Sequence, residues 1–152
     1  MKAEYKYKDI QDTMFYLLVQ VYDSIKYCKK TFPKMPVYDL FYFLKENIKF
    51  IDDPEGIELI QTSQTFFENN YHGISGGGDC DDFVITVTAY CLSYNIPCEI
   101  ILAGREKYAP VHIYNRVLDE NNKICNFDLT EKNFNDKRYY KYTQNLPFII
   151  IN

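Results

Sequence analysis

The spacing of apolar residues changes near Asn95, and this change constrains the fold more than any other feature of the sequence. Before Asn95, apolar residues recur mostly at gaps of three and four, as in amphipathic helices. After it, short runs of β-branched and other apolar residues indicate strands. Because helices come first and strands follow, the sequence predicts an α+β domain with a small antiparallel sheet and not a βαβ succession.

Two N-terminal helices are predicted. The first apolar stripe runs from Ile10 to Cys28 and ends before the prolines of residues 31–36, because each proline disfavours helical geometry in the residue before it. The second stripe covers residues 37–48 and is broken by the Asp-Asp-Pro-Glu-Gly run that begins at Asp52. We expect residues 1–48 to form an N-terminal helical extension packed on the core.

A third helix is predicted to begin after Asp79, which can cap it, and to close at Asn95. Residues 57–67 have moderate helix potential, and residues 68–78 are rich in Asn and Gly and predict a loop. Strands are predicted at residues 97–103, 111–118, 123–129 and 146–151. We therefore expect one domain over residues 1–152, with a C-terminal segment, residues 131–152, that contains the last strand.

The size and charge of the chain exclude several classes of protein. At 152 residues the chain suits a single domain. A net charge of -4 with scattered lysines argues against a nucleic-acid binder, which needs clustered cations. No apolar run approaches the roughly 20 residues that cross a membrane, and the charged start has no signal-peptide core. We expect a cytoplasmic protein without membrane contact, or a virion-associated one if it is phage-encoded.

The five cysteines are odd in number and contain no Cys-x-x-Cys pair, which favours reduced thiols over a disulfide framework or a zinc site. We therefore predict no bound metal. Phosphate-binding glycine motifs are absent from the sequence as well, so nothing supports nucleotide binding. We predict that the protein needs no organic cofactor.

Cys80 differs from the other cysteines because it follows three glycines and Asp79 and opens a predicted helix. A helix N-terminus beside an imidazolium lowers the pKa of a thiol, so we expect Cys80 to be a reactive nucleophile. The glycines would let a substrate approach closely and would turn backbone N–H groups toward it. Taken alone, Cys80 could equally be a small buried residue.

His112 is the candidate general base, since the only other histidine, His72, lies in the predicted loop. Strand alternation puts His112, Tyr114 and Arg116 on the face opposite Ile113. Asp128 follows a turn predicted near Asn121. A hairpin around that turn would bring Asp128 near His112, where its carboxylate could orient the imidazole.

These segments resemble the core of the transglutaminase-like superfamily. The motifs are Gly-Asp-Cys at residues 78–80, Asn-Ile-Pro at 95–97, His-Ile-Tyr at 112–114 and Asp-Leu-Thr at 128–130. The resemblance covers residues 50–130. It implies a papain/transglutaminase-like fold in which a Cys-bearing helix packs on the sheet. Cys80 would then be the nucleophile, His112 the base and acid, and Asp128 the orienting group.

Three further residues are weaker candidates for the site. Gln61 could offer a side-chain amide to an oxyanion, and Gly78 could let the substrate or an oxyanion approach the backbone. Tyr114 could line the cleft, although packing in the core is the alternative. The acidic residues Asp81 and Asp82 suit the first turn of a helix, where the dipole favours negative charge.

The resemblance implies a cysteine-dependent acyl-transfer enzyme, either a peptidase or amidase or a transglutaminase-like enzyme, that acts on peptide or glutamine amides through a thioester. The absence of tryptophan, which would shape an acyl-donor tunnel, favours hydrolysis over cross-linking. The partner would be a protein or peptide substrate. The alternative is a catalytically silent module with a structural or assembly role, possibly in a phage particle. Its partner would bind the N-terminal helix or a surface supplied by the 15 tyrosines.

Overall fold

The computed structural model describes residues 4–5, 10–107 and 110–148. Within these residues the helices are α1 (Ile10–Thr31), α2 (Val37–Asn47), α3 (Ser63–Glu68) and α4 (Cys80–Ser93). The strands are β1 (Glu4–Tyr5), β2 (Lys49–Phe50), β3 (Glu58–Leu59), β4 (Gly77–Gly78), β5 (Cys98–Gly104), β6 (His112–Leu118), β7 (Ile124–Phe127) and β8 (Tyr142–Phe148).

The main sheet has the order β7-β6-β5-β8, and every neighbouring pair is antiparallel. This arrangement confirms the predicted α+β class. Two small pairs lie outside it: β1 with β3, antiparallel, and β2 with β4, parallel. The β2–β4 pair matters for the site because β4 leads directly into α4.

Helix α4 is the centre of the fold. Each of its residues from Asp82 to Cys91 is buried, because α1 packs against it as well as β5 and β6 of the sheet. Helices α1 and α2 contribute Leu17, Val21 and Phe41 to the same hydrophobic core. The predicted N-terminal extension therefore shares one core with the rest of the chain.

The last strand begins earlier than predicted, at Tyr142 instead of residue 146, and residues 149–151 lie outside the described residues. Strand β8 pairs only with β5, and its residues 142–145 are exposed. The exposed start of this edge strand buries no apolar face, so it carries no alternation signal. Two-residue strands also replace part of the segments predicted as helix or loop, at Glu58 and Gly77.

Among the helices that the structure describes, none combines the length and the apolar character needed to cross a bilayer.

Candidate active site

Cys80 is the first residue of α4, and the start of this helix is fixed by a reciprocal capping arrangement. The Asp79 side chain accepts a hydrogen bond from the Asp81 backbone N–H at 3.1 Å, and the Asp82 side chain accepts from the Asp79 N–H at 3.3 Å. Such caps satisfy N–H groups that have no partner within the helix. The predicted N-cap at Asp79 is confirmed, and the half-buried Cys80 is held at a defined helix start.

His112 and Asp128 form a close pair at the end of the β6–β7 hairpin. His112 Nε2 lies 2.7 Å from Asp128 Oδ2. The register pairs Asn115 with Phe127, so its continuation puts Asp128 opposite Tyr114 and diagonal to His112 on one face. The pairing anticipated from the turn near Asn121 is present. Because Nε2 faces the carboxylate, Nδ1 is the ring nitrogen left for a reacting group.

The Asp128 carboxylate is buried, and both of its oxygens have partners. Oδ1 accepts from the Thr130 backbone N–H at 3.0 Å and from the Thr130 hydroxyl at 2.7 Å, while Oδ2 faces His112. Burial alone would raise the pKa of Asp128, but the hydrogen bonds from His112 and Thr130 outweigh it, and the pKa lies below its ordinary value. Asp128 is therefore an ionised acceptor, which keeps the imidazole proton on Nε2.

Two tyrosines hold the plane of the His112 ring. Tyr114 and Tyr140 each stack on it, with ring centroids 5.8 Å away and interplanar angles of 19° and 25°. Tyr114 is buried, so it supports the histidine from within the structure. Tyr140 comes from the irregular segment after β7. The imidazole is thus restrained by aromatic contacts as well as by the carboxylate.

Cys80 and His112 border a common cavity of about 380 Å³. Cys80 also borders a small cavity of about 10 Å³ with Tyr114 and Asp128. A hydrogen bond from the Ile113 backbone reaches the Cys80 thiol. Three segments that are distant in sequence therefore converge on one place: the start of α4, the start of β6 and the residues after β7.

The charge around Cys80 differs from the prediction. Burial raises the pKa of the thiol, the negative charges of Asp81 and Asp79 raise it further, and the Ile113 hydrogen bond only partly opposes them. The expectation of a lowered thiol pKa at the helix N-terminus is thus wrong for this structure. Carboxylates crowd the helix start and outweigh its dipole. Cys80 carries its proton at neutral pH, so a proton acceptor must activate it.

These carboxylates form a cluster that includes residues far apart in the chain. Oxygen atoms of Asp53, Glu58 and Asp79 lie within 4.8 Å of one another. Burial and the neighbouring charge of Asp82 raise the pKa of Asp79 to about 9, and burial raises that of Asp82 to about 7. Oxygen ligands of this kind could hold a hard cation. Without one, shared protons relieve the repulsion between like charges.

Gln61 occupies a structural position. Its side-chain Nε2 donates to Asp82 Oδ2 at 3.1 Å and contacts the Gly77 carbonyl at 3.3 Å, and its backbone N–H donates to Asp82 Oδ1 at 2.9 Å. Gln61 is buried and is not among the residues that line the cavity beside Cys80. The structure therefore places Gln61 where it ties the segment before α3 to the first turn of α4.

Gly78 and the two glycines before it are packed. The Ile51 N–H donates to the Gly78 carbonyl at 2.7 Å. A Cβ atom on Gly78 would lie 2.2 Å from Asp82 Oδ2 and 2.9 Å from Phe66. The close approach that requires glycine here is made by the protein's own side chains. The predicted loop is thus ordered at its end, in strand β4.

Thr130 and Tyr140 are site residues that the sequence prediction did not assign. The Asp-x-Thr spacing is a signal for Thr130, because a hydroxyl two residues after an aspartate can donate back to its carboxylate. No local signal marks Tyr140, which reaches His112 only through the path of the chain after Phe127.

No family model, curated protein or solved structure matches this chain. The function is therefore inferred from the geometry of Cys80, His112 and Asp128 and from the motifs that surround them.

Proposed function

We propose that this protein is a cysteine-dependent acyl-transfer enzyme, a peptidase or amidase with a papain/transglutaminase-like arrangement. The observation that carries the proposal is the buried 2.7 Å contact between His112 and Asp128 beside a cavity that Cys80 shares with His112. A cysteine at a helix start, a histidine at a strand end and an orienting carboxylate are the parts of a nucleophilic triad. The motif resemblance supports the same assignment.

In the acylation step, His112 Nδ1 takes the proton from Cys80 while the sulfur attacks the carbonyl carbon of an amide. The tetrahedral intermediate then collapses: the C–N bond breaks, and His112 returns the proton to the leaving amine. A thioester on Cys80 remains. Asp128 accepts a hydrogen bond from Nε2–H throughout. Its negative charge stabilises the imidazolium that forms between the two proton transfers.

In the deacylation step, water attacks the thioester and gives its proton to His112. As the carbon–sulfur bond breaks, His112 gives this proton to the leaving sulfur, so a carboxylic acid leaves and the Cys80 thiol is restored. The net reaction is hydrolysis of an amide to an acid and an amine. The raised pKa of Cys80 means that the resting enzyme holds a protonated thiol, so the proton leaves the sulfur during attack and not before it.

Labelling by a peptide with an electrophilic carbonyl group, such as an acyloxymethyl ketone, tests this proposal by intact mass. We expect one adduct, on Cys80, that is lost in Cys80→Ala and forms about 100-fold more slowly in His112→Ala. Cys125→Ala is the matched control because Cys125 is a buried thiol in β7, outside the site, and it should label like the unmodified chain. Labelling that is spread over several cysteines, or is unchanged in His112→Ala, contradicts the proposal.

Iodoacetamide provides a second measurement. This small reagent needs a thiolate but no carbonyl attack, so the raised pKa predicts slow alkylation of Cys80 at pH 7 with a rate that keeps rising above pH 9. A plateau already reached near neutral pH would show a preformed thiolate and would contradict the charge distribution described above.

A silent assembly module is the second candidate function, and two observations favour it. The thiol pKa is raised, which disfavours spontaneous reactivity. Helix α1 also exposes Phe15, Val19 and Tyr22 at spacings of four and three, so they form an apolar stripe on one face. In this case Cys80→Ala would keep every function of the chain, and the electrophilic peptide would label Cys80 no faster than Cys125.

A further inference from the structure

His112 lies where a cavity lined by acidic side chains adjoins a cavity lined by basic ones. The cavity beside Cys80 carries four acidic side chains: Asp52, Glu58, Asp79 and Asp81. A larger cavity of about 830 Å³ carries four basic ones: Lys45, Arg105, Arg138 and Lys141. The two cavities share Phe50, Val111 and His112. A chain bound across the reacting atoms would therefore meet acidic side chains on one side and basic side chains on the other.

The basic side chains are available to a ligand. Within the described part of the chain, Lys45, Arg105 and Lys141 take part in no ion pair. Lys45 Nζ donates to a backbone carbonyl, that of Leu129, which leaves its charge uncompensated. Arg138 pairs with Glu131 through Nε, yet its side chain is 68% exposed. The larger cavity is thus cationic although the whole chain has a net charge of -4.

We propose that the larger cavity binds an acidic segment of a polypeptide substrate, on one side of the amide that Cys80 attacks. This inference deepens the proposed acyl-transfer function and rests on it for the position of the amide. The acidic cavity has no lysine or arginine among its described lining residues and so offers the same segment no opposite charge. The two halves together therefore fix the direction in which a substrate lies.

A polypeptide fits this arrangement better than a nucleic acid. A nucleic acid carries a phosphate at every nucleotide, so a strand that entered the basic cavity and continued past His112 would place phosphates beside four acidic side chains, with no lysine or arginine among the described lining residues to neutralise them. A polypeptide can change from acidic to neutral or basic within a few residues. The exposed Tyr139 and the stacked Tyr140, which also line the basic cavity, offer apolar contact to such a chain.

Binding to the full-length Cys80→Ala variant tests the inference without catalysis. The probes are two rhodamine-labelled peptides, Glu-Glu-Glu-Gln-Gly-Lys-Lys-Lys and Lys-Lys-Lys-Gln-Gly-Glu-Glu-Glu, in which the acidic and basic blocks exchange places around Gln-Gly. Each peptide has a control in which Gln replaces every Glu. Fluorescence anisotropy should show one order binding about tenfold more tightly than its control at low salt. This preference should shrink as salt screens the charges.

Charge reversal locates the binding. Arg105→Glu with Lys141→Glu changes two exposed residues outside the triad and should weaken the preferred peptide about tenfold or more. The matched control, Lys26→Glu with Lys30→Glu, makes the same change in net charge on exposed residues of α1. These lie about 18 Å or more along the helix from Met14, which borders the acidic cavity, so affinity should stay unchanged.

The outcomes separate this inference from the proposed function. Equal binding of the acidic peptides and their controls overturns the inference, as does an equal loss in the α1 control. A short single-stranded oligonucleotide that displaces the peptide and loses affinity in the Arg105/Lys141 variant would assign the cavity to nucleic acid instead. If the acidic peptide binds as described but the electrophilic peptide never labels Cys80, the inferred binding stands and the proposed enzyme activity fails.

Discussion

The pKa values of two carboxyl groups near Cys80 are shifted in opposite directions by their surroundings. Asp128 receives hydrogen bonds from His112 and Thr130, and its pKa lies below the ordinary value. Asp79 is buried beside other carboxylates, and its pKa rises to about 9. The first is fixed as an anion that can hold a histidine, while the second can carry a proton at neutral pH. The same residue type therefore has two different protonation states around one thiol.

Replacing Asp128 with Asn should reduce kcat/KM for amide hydrolysis by about 10³, because an amide no longer enforces the Nε2-protonated histidine. Thr130→Val, which removes only a hydroxyl donor to Asp128, should cost much less. Steady-state hydrolysis of a peptide amide and the far-UV circular dichroism of each variant would check both. Activity of Asp128→Asn that equals the activity of Thr130→Val would exclude the assigned role.

Asp128 also makes stability depend on pH at the acid end. Its folded pKa lies below the unfolded value near 3.9, so its contribution to folding is present above that pH. The contribution is lost as pH falls through the folded pKa. Urea unfolding of the unmodified chain should show this loss as the pH falls below about 4, and Asp128→Asn should lack that part of the dependence of stability on pH.

Asp79 should make the stability of the folded protein depend on pH in the opposite direction to Asp128. The folded pKa of Asp79 is raised to about 9, so its contribution to stability is complete below the unfolded value near 4 and is lost as pH rises toward 9. The Asp79→Asn variant keeps the N-cap but has no charge to desolvate. Urea unfolding should find the variant about as stable as the unmodified chain at pH 4 and about 1–2 kcal/mol more stable at pH 8, a range discounted for partial exposure. A gap that is constant with pH would contradict the assignment.

The residues of the proposed triad could be selected from sequence because each has a local signal. Cys80 follows glycines at a helix start, and His112 and Asp128 flank a recognisable turn. The charge state of Cys80 could not be predicted, because it depends on burial and on Asp79 and Asp81 in the folded protein. Sequence indicates which groups can react, whereas three-dimensional crowding determines their protonation.

At the level of elements, the short strand β4 sets the position of α4. Strand β4 pairs with β2, and the Lys49 N–H donates to the Gly76 carbonyl at 2.9 Å. Gly76 has a φ of 74°, and a Cβ there would lie 2.1 Å from the Asn47 carbonyl oxygen. Both the conformation and the close contact require glycine at this position. Because the backbone just before α4 is held by these contacts, Cys80 has a defined position at the start of the helix.

Gly78→Ala should destabilise the protein by about 1–3 kcal/mol, because the new methyl would overlap Asp82 and Phe66. Gly73→Ala is the matched control: its φ of 72° strains an alanine, but no atom lies within 4 Å of the added carbon. We expect Gly73→Ala to lower the free energy of unfolding by only about 1 kcal/mol. Urea midpoints of the two variants give the comparison, and an equal or smaller loss in Gly78→Ala would show that β4 is loosely packed.

Three helices are joined by a buried polar network. Ser63 Oγ lies 2.9 Å from Thr86 Oγ1, and the Ser63 N–H donates to Ser24 Oγ at 2.9 Å. Thr86→Val removes one partner and should cost about 1–3 kcal/mol, because a buried hydroxyl loses its hydrogen bond. The double variant Ser63→Ala with Thr86→Val should cost less than the sum of the single changes, by about 1 kcal/mol. Additive unfolding free energies would show that the two hydroxyls do not interact.

Elements with their own periodicity were predictable, and elements defined by pairing were not. Helices α1, α2 and α4 carry repeating apolar positions, and β5, β6 and β7 have apolar runs bounded by turn residues. Strand β4 consists of two glycines and exists only because β2 lies beside it. The start of β8 is polar and is specified by its register with β5. Such strands are a property of tertiary contacts.

At the level of the whole molecule, the N-terminal helices pack against the elements that carry the candidate site. Helix α1 packs along α4, which bears Cys80, while Phe41 of α2 stacks edge-to-face on Phe127, the residue before Asp128. Lys45 of α2 reaches the carbonyl of Leu129, which follows Asp128. Helix α1 thus contacts the helix that bears Cys80, and α2 contacts the residues on either side of Asp128.

A fragment of residues 49–152 contains the whole triad and should nevertheless fail to fold. It lacks Leu17, Val21, Leu40 and Phe41, each at most 1% exposed in the full chain. Burying such side chains contributes roughly 1.5–3 kcal/mol each, so their loss is comparable with the roughly 5–15 kcal/mol that stabilises a domain.

Far-UV circular dichroism and thermal unfolding of this fragment decide the point. We expect little helix, no cooperative transition, and no labelling of Cys80 by the electrophilic peptide. The matched control is the full chain with Phe15→Ser and Tyr22→Ser, two side chains of α1 that are 68% and 64% exposed, and it should fold and label normally. A fragment that unfolds cooperatively and still labels would mean that the first two helices are an accessory to a self-sufficient catalytic core. Loss of labelling in the control would mean that the outer face of α1 acts on the site.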